Sequence, residues 1–450
     1  MSRQSPITKR RLVKILTSIM SITTTTAFSP AVTRSSSSLV QNILHHRHNN
    51  LPIINRLSLC RSLKRKSSSS RLFSSLPEES TATKSIHEKA GSSATAAAQL
   101  SAPTEASFTI FYNDVYEVDL PPRHRFPMSK YRKVRELTQQ WIGRHGKDQQ
   151  KIDCEFRVSP LATVEELETT HCPKYIRRYI QGDMTELEQR NVGFPWSEQS
   201  VKRSLSSVGG TVAAACTVVE RMMEQAGPNN NNKQIHWGAH VAAGTHHAFY
   251  DYGEGFSVFS DMAVAANVVL QRYPEQIKRV LFIDLDVHQG NGNAVLFQNN
   301  SQVATFSVHC RANYFSEKQE SDLDIELPAG CDDETYLATL KHWLNRLQRG
   351  DGGEFDLLFY QAGVDVLEVD RLGRMALSSR GVARRDQMVY EFANNLQIPM
   401  VISMGGGYPK GDNWTPLIEA HANVYYQAFQ YLEGLMQATT DTVGRGILDK

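Results

Sequence analysis

A single α/β domain with a mostly parallel central sheet flanked by helices is the fold the sequence predicts for residues 106–440. Three observations carry it. Short apolar runs read as buried strands, longer segments with helical periodicity separate them, and polar residues stand just after several of the runs.

In chain order the strands are expected at FTIFY (108–112), IHWGAHV (235–241), RVLFIDL (279–285), VATFSVH (303–309), DLLFYQA (356–362) and MVISM (400–404). Three intervening helices have clear signals. VGGTVAAACTVVERMMEQAG (208–227) is closed by Gly227-Pro228, and SDMAVAANVVLQRY (260–273) is opened by a Ser260/Asp261 cap. DDETYLATLKHWLNRLQRG (332–350) repeats Leu337, Leu340, Leu344 and Leu347 at helical spacing before Gly350. The Asn run at 229–232 is a low-complexity loop.

The 450-residue chain has a net charge of +2, which hides a split: residues 1–77 hold 13 of the 49 Lys/Arg and no acid, leaving 36 basic against 47 acidic residues elsewhere. The leader is rich in Ser, Thr and Arg, a composition that fits import into a plastid or mitochondrion; a disordered basic tail or a nuclear signal at Arg61, Lys64, Arg65 and Lys66 are the alternatives, which would leave the protein in nucleus or cytoplasm. Residues 78–105 read as a linker and 441–450 as a tail.

An acidic body argues against direct DNA binding by the folded domain, and no apolar segment approaches the roughly 18 residues of a membrane span. The six scattered cysteines form no C-x-x-C pair, so neither a disulfide framework nor a thiolate zinc site is expected.

In an open parallel sheet, ligands sit beyond the carboxyl ends of the strands. There stand GTHH (244–247), DLDVH (284–288), AGVD (362–365) and MGGGY (404–408). Asp286 and His288 are two apart, so an extended backbone sends both to one face, and Asp365 is the best third ligand. Asp/His/Asp with an open position suits catalytic Zn²⁺, with Fe²⁺ or Mn²⁺ as alternatives. Asp284 lies deeper and needs a partner, for which His246 is suited; His246 and His247 taken alone read as an exposed-loop pair, but beside a metal rim as an acid/base pair tuned by Asp284 and Asn291. Gly405-Gly407 reads either as a flexible turn with a surface tyrosine or as a loop that presents the Tyr408 hydroxyl to a carbonyl oxygen as it gains charge.

With these residues on one rim, the chain resembles the zinc-dependent histone deacetylases of the arginase/deacetylase fold. GTHHAFYDYGEGFSVFSD, VLFIDLDVHQGNG, YQAGVDVLEVDRLG and GGGY carry the resemblance in the family's order, and HQGNG with DVLEVDRLGRMALSSRGVARRD looks most like the class IV, histone-deacetylase-11-like branch. The resemblance implies zinc ligands Asp286, His288 and Asp365, His247 as general base, His246 as its electrostatic partner, and Tyr408 polarising the acyl carbonyl. It also implies K⁺ near Asp284 and Ser307, and tunnel walls at Gly255, Phe256 and Phe315.

Two departures stand out. AAG (242–244) replaces a glycine-richer stretch, and Asn291 stands where many relatives have aspartate, which leaves His247 less basic.

The activity this implies is hydrolysis of the acyl amide of N6-acyl-lysine, on histone tails or organelle proteins. A long-chain deacylase, a polyamine-type deacetylase and a non-catalytic acyl-lysine-binding adaptor are the rivals, and acidic residues at the tunnel rim would favour the polyamine.

Overall fold

Strand order, not strand number, decides where the chemistry gathers. In this computed structural model, eight parallel strands make one sheet: β1 (Glu105–Tyr112), β2 (Asp153–Val158), β3 (Gln234–Val241), β4 (Val280–Asp284), β5 (Val303–Cys310), β6 (Leu323–Leu327), β7 (Leu357–Gln361) and β8 (Met400–Ser403). Their spatial order is β2-β1-β3-β8-β7-β4-β5-β6. The structure describes residue 103 and residues 105–448 except 123, 147–149, 225–233 and 314–315. The leader 1–77, nearly all of the linker, the Asn run at 229–232 and Tyr314-Phe315 lie outside the described residues.

All six expected strands are present. The two the sequence reading missed, β2 (DCEFRV) and β6 (LDIEL), are the sheet's edges. Edge strands keep polar residues at alternate positions, so their apolar signal is thin.

Alternate residues of the inner strands face opposite helical layers. Phe108, Trp237, Ile283, Tyr360 and Ile402 join a core cluster with residues of helices Lys130–Gly143, Asp333–Gln348, Ser379–Leu396 and Thr415–Leu448. Helices Glu198–Glu224 and Asp261–Arg272 pack on each other, and the first also packs on β3. The helix read at 208–227 starts ten residues earlier, at Glu198, because SVKRSLSS buries Val201 and Leu205 at helical spacing within a Ser-rich stretch of weak propensity. Ser260 caps its helix as expected, accepting from the amide of Ala263, and Asp332 is found to cap the helix after it, accepting from that of Thr335. The last helix continues past residue 440 to Leu448, and no helix among the described residues is long and apolar enough to cross a membrane.

Candidate metal and catalytic site

The four central strands β3, β8, β7 and β4 each run out at the same edge, where the order of the sheet departs most from the order of the chain. Beyond Asp284 the chain leaves β4 and bends at 286–288, yet it stays against the sheet, because Leu285 N donates to Gln361 O and Cys310 N to Val287 O. Leu285 and Val287 therefore stay in the apolar cluster, and the intervening Asp284, Asp286 and His288 share the other side.

β7 brings Asp365 to the same point. Asp365 Oδ1 accepts from Val287 N at 2.9 Å, and Asp286 Oδ2 accepts from Gly406 N at 2.6 Å. The loops meet this closely only because Gly363 and Gly406 lack a Cβ, which would collide with the carboxylates of Asp286 and Asp365 respectively.

Asp286, His288 and Asp365 offer one ligand atom each within 4.8 Å of one another, all three buried. His288 Nδ1 lies 3.2 Å from Asp286 Oδ1 and 3.3 Å from Asp365 Oδ2. Asp365 Oδ2 is buried yet makes no well-directed hydrogen bond. Two buried carboxylates facing one imidazole, with an oxygen left over, fit a divalent cation with hard N/O ligands.

Protonation points the same way. Burial and the charge of Asp286 push Asp365 up to about 7. Burial would lower His288, but its bonds to Asp286 and Asp365 outweigh that and raise it to about 10. The pocket thus favours positive charge at the place between the ligands that a cation would take.

The histidine pair falls as its sequence suggests. His246 Nδ1 meets Asp284 Oδ2 and His247 Nδ1 meets Asn291 Oδ1, both at 2.7 Å. Burial opposes a charge on His246, but Asp284 and Asp286 prevail and raise it to about 8. Burial and the charges of His246 and His288 hold His247 well below the usual imidazole range.

Asn291 Nδ2 donates to Glu254 Oε1 at 2.8 Å while its Oδ1 also accepts from Gly292 N. The amide is thereby oriented with oxygen toward His247, so Nδ1 of His247 carries the proton and Nε2 keeps a lone pair.

Tyr408 is set by Asp370, whose Oδ2 accepts its backbone N–H at 2.6 Å and whose Oδ1 accepts from Leu372 N and Gly373 N. Burial and the nearby charges of Asp365 and Asp286 hold its phenol well above the usual range, which keeps it a donor. Asp284 and Ser307 are register neighbours on β4 and β5, and Ser307 Oγ lies 3.0 Å from His309 Nδ1.

Sequence reading missed several supports. Arg385, fully buried, donates to Leu285 O and Gly363 O and is neutralised by Asp386, so it ties the loop of Asp286 to the loop of Asp365. The Asn313 amide lies 3.0 Å from His288 Nε2. Glu254, Asp370 and Arg385 all stand inside the quoted motifs, yet nothing in the spacing told them from solvated charges.

Two cavities meet at the site. A narrow one of about 60 Å³, enclosed only by comparison with its neighbour, is lined by Lys130, Arg203, His246, His247, Asp286 and Tyr408 among others, and a wide one of about 930 Å³ by Arg125, Arg190, Glu254, Arg374 and others. Gly255 and Phe256 line both, and the Phe256 ring packs against Phe126 at 4.9 Å and Phe194 at 5.3 Å. Phe256 and Ala243 both have φ of 67°, a left-handed conformation that strains non-glycine residues. Ala243, in the AAG stretch, lines the enclosed cavity.

Residues 124–424 match the histone deacetylase domain. An uncharacterized protein of Picosynechococcus sp. is 38% identical over 321 residues, covering 71% of this chain and 98% of that one. Histone deacetylase 2 of Arabidopsis thaliana is 30% identical over 227 residues, 50% of this chain and 52% of the relative. Human histone deacetylase 1 is 28% identical over 267 residues, 55% and 51%.

Proposed function

Since the chain belongs to the histone deacetylase family, we propose that it hydrolyses the acyl amide of N6-acyl-lysine at a Zn²⁺ site formed by Asp286, His288 and Asp365. The observation that carries this reading is that Asp286 and His288, two of that buried ligand triad, line one cavity with the His246/His247 pair and Tyr408. When bound, the cation supplies Lewis-acid polarisation of the acyl carbonyl and lowers the pKa of a water.

The chain's own residues do the rest. His247 Nε2, with its lone pair directed by Asn291, takes the proton of the attacking water and returns it to the departing lysine nitrogen. His246, charged up to about pH 8 through Asp284, supplies positive charge beside the developing oxyanion. Tyr408 donates to the carbonyl oxygen. K⁺ beside Asp284 and Ser307 and a tunnel wall at Gly255 and Phe256 belong to the same reading, as does the class IV branch suggested by HQGNG.

The mouth argues against the polyamine rival. Arg125, Arg190 and Arg374 line it with Glu254, and Glu254 already accepts from Asn291 and Ser316, so a polycation gains little there. By the same argument, proteins less basic than histone tails suit it better. The enclosed cavity favours short acyl groups over long chains. Residues 1–77 are proposed as an organelle leader, which would place such substrates in a plastid or mitochondrion.

The test is metal content together with turnover of an acetyl-lysine peptide by the purified full chain. We expect about one Zn²⁺ per chain, activity abolished by chelation, and a loss of roughly 10²–10³ in turnover for Tyr408→Phe. An unchanged rate in Tyr408→Phe would remove its role, and a metal-loaded chain that turns over no acyl-lysine would leave the adaptor reading.

A further inference from the structure

The enclosed cavity is lined on the acyl side by cations. His247, Gly255, Phe256, His288 and Tyr408 line both cavities and mark their junction, whereas Lys130, Tyr131, Arg203, Ser204 and Ser207 line only the enclosed one. A substrate whose lysine enters from the mouth therefore points its acyl group at Lys130 and Arg203.

Lys130 is buried. Its Nζ donates to Gly407 O at 3.2 Å and lies 5.2 Å from the ring of Tyr408 and 5.4 Å from that of Tyr131. The Arg203 guanidinium stands 4.4 Å from the Tyr131 ring centroid and donates to Ser207 Oγ. Among the described residues neither cation has a carboxylate within the 4.0 Å of an ion pair.

The acids that reach them from farther off are already engaged. Asp261, whose charge acts on Arg203, accepts from Thr211, Ser403 and Thr245. Asp365, Asp370 and Asp286 act on Lys130; Asp370 is taken up by the amides of Leu372, Gly373 and Tyr408, and the other two are the candidate metal ligands. A divalent cation on those ligands would offset their charge and leave Lys130 poorer in counter-charge still.

Lys130 is buried and Arg203 half-buried, and cations held off water without a close carboxylate are costly to a fold, so they point to an anion that arrives. Size narrows the anion: a cavity of about 60 Å³ suits a short chain and a carboxylate better than a fatty tail.

Resting on the deacylase reading, we propose that the preferred acyl group ends in a carboxylate, of about succinyl length, which Arg203 and Lys130 receive. The reaction stays a hydrolysis. The acyl C–N bond breaks, water's oxygen bonds to the carbonyl carbon, the lysine nitrogen takes the proton, and a dicarboxylate leaves.

The test compares peptides that differ only in the lysine modification (acetyl, butyryl, succinyl and the uncharged succinamoyl) on the Zn²⁺-loaded full chain. We expect kcat/KM for succinyl to exceed that for butyryl and succinamoyl by roughly 10-fold or more, mainly through KM, because a buried site built for a charged group rejects its neutral analogue. Arg203→Gln should lower the succinyl-to-butyryl ratio by roughly 10-fold or more, with Arg203→Lys restoring part of it. Calorimetric binding of the succinyl and succinamoyl peptides to Tyr408→Phe protein should keep the same order.

Acetyl turnover with succinyl no better than succinamoyl would overturn this inference and leave the deacylase reading standing. Turnover of none of the peptides would overturn both. Should Arg203→Gln not fold, the succinyl-to-succinamoyl ratio of the unaltered chain still decides.

Discussion

At the scale of single residues, the site departs most from a charged dyad at Asn291, where an amide stands 2.7 Å from His247 and Glu254 holds the charge one hydrogen bond farther away. Asn291→Asp would put a carboxylate on the Nδ1–H of His247 and favour the protonated ring, so its folded pKa rises. Because His247 must be neutral to accept a proton, the acid limb of the kcat/KM profile should move up by about 1–2 pH units. A limb that stays in place would separate Asn291 from the base. The residues that the structure brings together were legible: Asp286, His288 and Asp365 from period-2 spacing and strand ends, Tyr408 from its glycine loop. Glu254 was not, since its partner lies 37 positions away and only the folded turn Glu254↔Ser257 points it there.

At the scale of elements, two loops from different strands are held to one geometry by a third. Arg385, on helix Ser379–Leu396, bonds the carbonyls of Leu285 and Gly363 and pairs with Asp386, itself bonded by Tyr360 at 2.5 Å. Arg385→Met leaves Asp386 a buried, unpaired charge, and we expect a loss of about 3–5 kcal/mol in denaturant unfolding. The double variant with Asp386→Asn should recover part of that while still binding metal more weakly, as the two ligand loops are no longer tied. A double variant with the metal affinity of the unaltered chain would refute the clamp. Ala243, left-handed beside the cavity, offers a milder check: Ala243→Gly removes strain of about 1 kcal/mol, partly offset by the unfolded-state entropy of glycine, so stability should hold or rise slightly. The buried strands were readable because both faces are apolar; β2 and β6 were not, and the left-handed turn at Ala243 has no sequence signal when the residue is not glycine.

At the scale of the whole molecule, a metal taken up at the candidate site would compete with protons. His288, raised to about 10, and Asp365, raised to about 7, hold protons near neutrality that a cation must expel. Uptake at pH 7 should release between about one and two protons, and the apparent affinity should climb with pH until His288 is neutral. Titration calorimetry in buffers of differing ionisation enthalpy measures the number; an affinity constant from about pH 6 to 8 would contradict it. The leader adds a test of its own, since a fusion that leaves residues 1–77 free should be imported into an organelle, and a purely nuclear signal would refute that proposal. The order of the sheet also has a consequence for the nascent chain. β8, the last strand made, lies between β3 and β7. Until residues 400–403 have left the ribosome, two half-sheets face each other across a gap with raw edges, and Gly406 and Tyr408 do not yet exist to close the site. Chains cut short before that point should aggregate rather than work at a reduced rate, which makes the final strand a keystone and metal uptake a mark of finished synthesis.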